Sequence, residues 1–375
     1  LKYRVLLVLL LFTGYPVLGQ ATQKLPGDSL IIHGIHQLYN FDHKEAIEIF
    51  RGVIAQYPAH PAGHVLLGVA RWEYTRGTVG IIASDDTLLR EMNRSAGIAK
   101  DYVKAHPRDP YGWLLYGMAL GIQARVDLGR SHWVSAAVHG YKGIRKIKHA
   151  QDLAPDLPDL KIALGAFHYY VALAGPLLKV AAGIIGLSGN QEQGKTELRF
   201  AAHHGRYVSP EAKNILTYIY GYLEDSLSVA LTFSDTVIQE FPGSPYNWAI
   251  RSDLEYAAGD TTTGGIALRR VQQLIPSLDR YYKKEYHKKS VYLEGVRAYH
   301  RKKYRRSIQR LQKYLEFHFE EYDLFQDSAE LLLGKNYRAL NENNTARAWF
   351  KKVLKRDIPT RMQREARHRL DEMNE

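Results

Sequence analysis

Residues 189–196, Gly-Asn-Gln-Glu-Gln-Gly-Lys-Thr, match the G-x-x-x-x-G-K-[ST] pattern letter for letter. In such a loop bare backbone N–H groups cradle phosphates, the lysine neutralises them and the hydroxyl binds a magnesium ion, provided that a strand precedes it and a helix follows. The run from Val180 to Gly186 is readable as that strand, and Val229 to Asp235 is a loose match for a second strand ending in a metal-binding aspartate. On these residues alone the chain is a nucleotide-binding enzyme using Lys195 and Thr196. Histidines cluster as His33, His36 and His43, as His60 and His64, and as His203-His204. None forms H-E-x-x-H, and Pro61 interrupts any helix that would pair His60 with His64, so no metal ligand is nominated. No nucleophile elbow occurs, and the carboxylates show no acid/base spacing. Cysteine is absent, which excludes disulfides, thiolate metal sites, cysteine nucleophiles and a lipid-modified cysteine.

The elements that must position these residues are repeats. A small residue follows a proline by ten positions at Pro58 to Gly68, Pro107 to Gly117 and Pro155 to Gly165. The first unit is the most complete, with Gly34, Ala46, Phe50 and Pro58, and with Gly68 opening the next unit. Glycine and alanine let two antiparallel helices touch, phenylalanine fills the hairpin core, and proline stops the second helix. Parts of the pattern return at Leu164 and Gly165, at Ala230 with Pro242, at Trp248, at Gly295, and at Leu333, Gly334, Tyr337, Ala346, Phe350 and Pro359. These residues resemble the tetratricopeptide repeat. The resemblance spans about residues 28 to 359 and implies an all-α chain, a right-handed superhelix of seven or eight antiparallel helix hairpins. It also implies a protein-binding scaffold with neither catalysis nor cofactor. The long interval from Gly68 to Gly117 predicts an inserted loop or longer helix near residues 75–89. In repeat register Gly189, Asn190 and Gly194 become a turn between helices, like Asn40 to Ala46 and Asn341 to Ala346, with Lys195 exposed to solvent. That reading is preferred over the phosphate loop.

The N-terminus, Leu1-Lys2-Tyr3-Arg4 followed by an apolar run from Val5 to Phe12 and then Val17-Leu18-Gly19, reads as a secretory signal over residues 1–19. A short linker over 20–27, N-terminal repeats over 28–205 and a basic C-terminal set over 206–375 follow. An exported, cysteine-free protein fits the bacterial periplasm or cell envelope. The stretch from Ile162 to Leu187 is the most apolar internal segment; Gly175-Pro176 reads as the break between two helices of one hairpin rather than part of a membrane span. Gly165 to Gly189 is distantly similar to the eukaryotic inclusion-body-clearance relatives of the repeat family, non-catalytic adaptors linked to lipid droplets. This similarity, with the basic half, leaves a membrane-associated lipid-handling adaptor as an alternative.

If the first helix of each hairpin lines the concave face, repeat register places Tyr39, Trp72, Tyr111, Tyr169, Tyr170, Tyr246, Tyr256, Tyr292 and Tyr299 in a partner-binding groove. Stiff rings with a polar tip suit an extended peptide or a partner helix. The net charge of +12 is uneven. Lys283, Lys284, Arg301, Lys302, Lys303, Arg305 and Arg306 form a candidate patch for an anionic surface such as lipid headgroups or lipopolysaccharide, and a second basic run extends from Lys351 to Arg369. No fold-specific nucleic-acid motif accompanies the charge, so nucleic acid is not the expected partner. The reading adopted is an exported, non-enzymatic repeat scaffold that binds an envelope protein or peptide.

Overall fold

In a computed structural model the chain is described over residues 24–130, 132–173, 189–317, 323, 325–355 and 359–373. The signal segment and Gly175-Pro176 lie outside these residues. Among the described residues there are seventeen α-helices and no strand. They run as consecutive antiparallel hairpins: α1 (Asp28–Tyr39) with α2 (His43–Gln56), α3 (Pro61–Val79) with α4 (Ile81–Ala105), α5 (Pro110–Gly129) with α6 (Trp133–Leu153), and α7 (Leu160–Leu173) with α8 (Gln191–His204). Then come α9 (Ser209–Tyr218) with α10 (Leu227–Glu240), α11 (Pro245–Ala258) with α12 (Thr261–Leu274), α13 (Arg280–His300) with α14 (Tyr304–Leu315), and α15 (Phe325–Ala339) with α16 (Asn343–Val353). A last helix, α17 (Arg361–Asp371), closes the array. The long interval between Gly68 and Gly117 is taken up by helix length, since α3 has 19 residues and α4 has 25. No described helix is long and apolar enough to cross a membrane.

The hairpins form because small residues recur where the helices cross. A Cβ built on Gly34 would overlap the Phe50 ring, and one on Gly334 would overlap Phe350 in the same way. Both phenylalanines are fully buried. The pair twelve residues apart repeats with its chemistry varied: Gly34 and Ala46, Gly334 and Ala346, and Gly295 and Ser307, whose hydroxyl donates to the Gly295 carbonyl at 2.8 Å. In the sixth hairpin the order is swapped, and Ser252 donates to the Gly264 carbonyl at 2.8 Å. Seven residues after each of these first members the chain turns through the left-handed region, at Phe41, Gly259, Lys302 and Asn341. Asp42 and Asp260 then cap the following helices, accepting from Glu45 N at 3.1 Å and from Thr262 N and Thr263 N at 2.9 Å. This is tetratricopeptide-like geometry, and among the described residues the fold is an all-α solenoid of eight helix hairpins.

The array curls until distant hairpins touch. Helix α3 lies against α13, where the Tyr282 ring packs over Gly77 and its hydroxyl donates to the Glu73 carbonyl at 3.0 Å and carboxylate at 2.5 Å. The Arg206 guanidinium clasps both oxygens of Asp28, and Gly243 N donates to the Asn40 side chain at 2.7 Å. The C-terminal helix also reaches back. Arg361 and Arg364 donate to the carbonyls of Gly221 and Leu223, at 3.0 and 2.8 Å, in the π-turn Ile219–Leu223 that ends α9. Such a turn leaves carbonyls without intrahelical donors, and the two guanidinium groups supply them.

Candidate functional site

Closure of the curl converts its concave face into a chamber of about 830 Å³. The first helices of all eight hairpins contribute to its wall, from Tyr39 on α1 to Phe325 on α15. Of the nine aromatic residues assigned to the groove, Tyr39, Trp72, Tyr170 and Tyr246 line this chamber. Tyr170 and Tyr246 are 40 % and 38 % exposed, and that exposure faces inward. Phe41, Tyr218, Tyr281, Tyr282, Tyr286 and Phe325 add to the aromatic wall. Tyr286 lies about two helical turns from the projected Tyr292, and Tyr281 and Tyr282 lie about three turns from it. Tyr218 is on a helix with no projected position, and Phe41 and Phe325 stand outside the projected set, so repeat register alone did not select them.

The other five projected rings are elsewhere. Tyr111 is buried and its hydroxyl donates to Asp159 at 2.7 Å, while Asp159 also accepts from Tyr207 N at 2.8 Å. Tyr169 is buried between α7 and α8 and donates to Glu224 at 3.2 Å. Tyr256 is fully buried and stacks on His300 at 5.4 Å. Tyr292 is buried and donates to Asp253, which accepts from Tyr222 as well. Tyr299 is half-buried under Lys335. The adjacent pair Tyr169 and Tyr170 shows the cause. Successive residues point about 100° apart on a helix, so one ring enters the inter-helix core and the next enters the chamber.

The charged groups of the chamber are mostly matched. Lys289 pairs with Asp323 at 2.9 Å and with Glu285 at 3.4 Å, and Arg76 approaches Glu285 at 3.7 Å. Burial works against the charge of Lys289, but Asp323 and Glu285 overcome it and its pKa is raised. Arg125 lies over the Trp72 ring at 4.7 Å and reaches Asp85 at 3.7 Å. Glu211 is different. Tyr39 donates to its carboxylate at 2.9 Å, and among the described residues no cation pairs with it. Burial pushes its carboxyl up, the Tyr39 hydroxyl pulls it back, and Glu73 adds to the rise.

Residues 189–196 do not form a phosphate cradle. Asn190 caps α8 by accepting from Gln193 N at 3.0 Å, and Thr196 donates to the Glu192 carbonyl at 2.9 Å. Gly194 packs against Gly165, where a Cβ would lie 2.7 Å from the Gly165 carbonyl oxygen. Lys195 is not on an exposed turn: it is 8 % exposed and bonds Glu192 and Glu224, both at 2.8 Å. The loop letters are therefore helix packing. The basic patch also divides. Lys283 and Lys284 open α13, whereas Arg301, Lys302, Lys303, Arg305 and Arg306 sit exposed at its far end, about 26 Å away at helical rise. Lys284 belongs to the chamber wall. In the second basic run, Arg361 and Arg364 are used within the fold as described.

His60 and His64 have local roles. The His60 ring accepts from Ala62 N at 3.2 Å as the cap of α3, and the His64 ring bonds the Pro58 carbonyl at 2.9 Å. Among the described residues no group of histidines and carboxylates is arranged to hold a metal ion.

An all-α repeat solenoid wound around an aromatic chamber is the class that this geometry defines. No family model matches the chain, and no curated protein matches it. Among solved structures it is similar to a tetratricopeptide repeat protein from Parabacteroides merdae, at 11 % identity over 83 % of this chain and 98 % of that one, with a TM-score of 0.34. It is also similar to human IFIT1 solved as a dimer with PPP-AAAA, at 13 % identity over 94 % of this chain and 86 % of that one, with a TM-score of 0.41.

Proposed function

We propose that this chain is a non-enzymatic repeat scaffold of the bacterial cell envelope that takes a segment of a protein partner into its aromatic chamber. The observation that carries the reading is the inward exposure of Tyr170 and Tyr246 in a cavity built from every first helix. Large rings left open inside a fold are contact area without a contact, and pockets of this kind hold the anchors of partners. Affinity capture from envelope extract, with residues 20–375 as bait, tests it. A protein retained by the native chain at high salt and released by Tyr170→Ala/Tyr246→Ala supports the reading. Retention of lipids or polyanions alone, and only at low salt, overturns it.

A second reading, association with an anionic membrane surface, is favoured by α6. Val134 is 81 % exposed, and Val138 and Tyr141 follow it on the same helical face, beside exposed Lys142 and Arg145. Apolar tips flanked by cations suit an interface of lipid headgroups. Flotation with vesicles containing phosphatidylglycerol should carry the native chain upward and leave Val134→Glu behind; equal flotation of the two excludes α6 as the contact.

A further inference from the structure

Glu211 sits in the first turn of α9 with its carboxylate open to the chamber and protein on all sides. Four tyrosines from four elements share its corner: Tyr39 from α1, Tyr170 from α7, Tyr218 from α9 and Tyr246 from α11. The Tyr39 hydroxyl touches the Glu211 carboxylate at 2.9 Å, Tyr218 and Tyr246 also line one small cleft together, and the Tyr170 and Tyr246 hydroxyls feel the Glu211 charge. Among the described residues neither the Tyr170 nor the Tyr246 hydroxyl has a hydrogen-bond partner. The neighbouring chamber carboxylates have cations beside them: Lys289 pairs with Glu285 and Asp323, and Arg76 feels the charge of Glu73. Glu211 is exposed to the chamber and therefore open to a ligand; a carboxylate without a cation of its own favours a cationic one, and the faces of aromatic rings attract cations.

We propose that this corner binds an organic cation, an alkylammonium or guanidinium group, with Glu211 as its counter-ion and the tyrosine rings packed on its stem and face. The inference rests on the chamber being the binding site of the preceding section and names the chemistry that it selects. Lysine and arginine side chains of a partner segment carry this group, and so do free polyamines. The ring hydroxyls offer further acceptors to the N–H groups of the cation. A neutral isostere gains the ring contacts but leaves the carboxylate as unmatched as before.

The test is calorimetric titration of the full chain with blocked peptides of the form Ac-Gly-Xaa-Gly-NH2, where Xaa is lysine, arginine or norleucine, and with spermidine. Glu211→Gln is the variant, because its amide oxygen keeps the acceptor for Tyr39 and removes only the charge; Glu45→Gln, on the exposed side of α2, is the control. The native chain and the control should bind the lysine and arginine peptides about tenfold more tightly than the norleucine peptide, and Glu211→Gln should erase that preference. Tighter binding of the peptides than of spermidine assigns the cation to a partner's side chain, and the reverse assigns it to a small amine. Equal binding of lysine and norleucine peptides by the native chain, or a preference that survives Glu211→Gln, overturns the proposal. Capture of an envelope protein that Glu211→Gln leaves unchanged would overturn this inference while leaving the scaffold reading intact. Cation binding without any captured protein would do the opposite.

Discussion

At the scale of single residues, much of this fold depends on what is missing from glycine. Gly34 sits where a methyl group would enter the Phe50 ring, whereas Gly52, one helix later, has nothing within 4 Å of its would-be Cβ. Gly34→Ala should therefore destabilise the chain by about 1–3 kcal/mol through overpacking. Gly52→Ala should stabilise it by about 0.5–1 kcal/mol, because alanine loses less backbone entropy in a helix. Urea denaturation of the two variants beside the native chain checks both signs. Lys195 makes a second case. Replacing it by alanine leaves Glu224, now paired with Lys195 Nζ and accepting from Tyr169, without its cation. A loss of about 1–3 kcal/mol is expected, with no change in ATP binding; loss of ATP binding with unchanged stability would restore the phosphate-loop interpretation.

At the scale of elements, caps and turns set where each hairpin begins and reverses. His60 accepts from Ala62 N through a ring lone pair, so it caps α3 only while neutral. Burial lowers its pKa to about 4, against the partial opposition of Asp109. The folded chain then binds fewer protons here than the unfolded one between the ordinary histidine value of 6.5 and about 4. The stability from this cap is complete above 6.5 and falls as the pH drops toward 4. Thermal melts across that interval should lose part of their slope in His60→Asn, whose side chain caps without titrating. Lys302 is exposed and holds φ at 56°. Glycine there should stabilise the chain by about 1 kcal/mol, since it takes the left-handed conformation without a Cβ penalty. Phe41 has a similar φ of 68° but packs on His43 and Tyr282, at 4.9 and 5.2 Å, so the same exchange at that turn gives up ring contacts and should not stabilise.

At the scale of the whole molecule, the chamber exists because the curl closes. The seam between α3 and α13 has no room at Gly77, which lies under the Tyr282 ring. Gly77→Leu should wedge the seam open: helix content by circular dichroism stays, the radius of gyration by small-angle scattering rises, and the cation preference of the Glu211 corner weakens. An unchanged radius with a folded variant would mean that the array keeps its curvature without this seam. The clasp of Arg206 on Asp28 gives a second handle. The guanidinium hydrogen bond holds the Asp28 carboxyl down at about 2, below its ordinary 3.8. Its contribution is whole above 3.8 and is lost as the pH falls through 2, so acid should loosen the N-terminal hairpin from the α9 end.

Local contacts were legible in the residues themselves. Gly34, Ala46, Phe50 and Pro58, and their counterparts from Gly334 to Pro359, specify helix pairs because a close crossing needs a small residue and a hairpin core needs a large one, at spacings that a helix fixes. The same logic set aside the phosphate-loop letters of Gly189 to Gly194 in favour of a turn between helices, although it left Lys195 on the surface, where the structure buries it in a helix against Glu224. Repeat register also brought Tyr39, Trp72, Tyr170 and Tyr246 to the chamber wall, but it could not separate Tyr170 from Tyr169 or keep Tyr111, Tyr256 and Tyr292 out of the core. Which side of a first helix faces inward depends on how each hairpin rotates against the next, and small rotations accumulate along the array. The closure of α3 on α13, the return of α17 to the π-turn, and the bond from Tyr39 to Glu211 join residues more than a hundred positions apart. Sequence determined the repeating unit, whose contacts lie within one helix pair; only the tertiary structure decided the chamber, because its walls are the sum of eight packing angles.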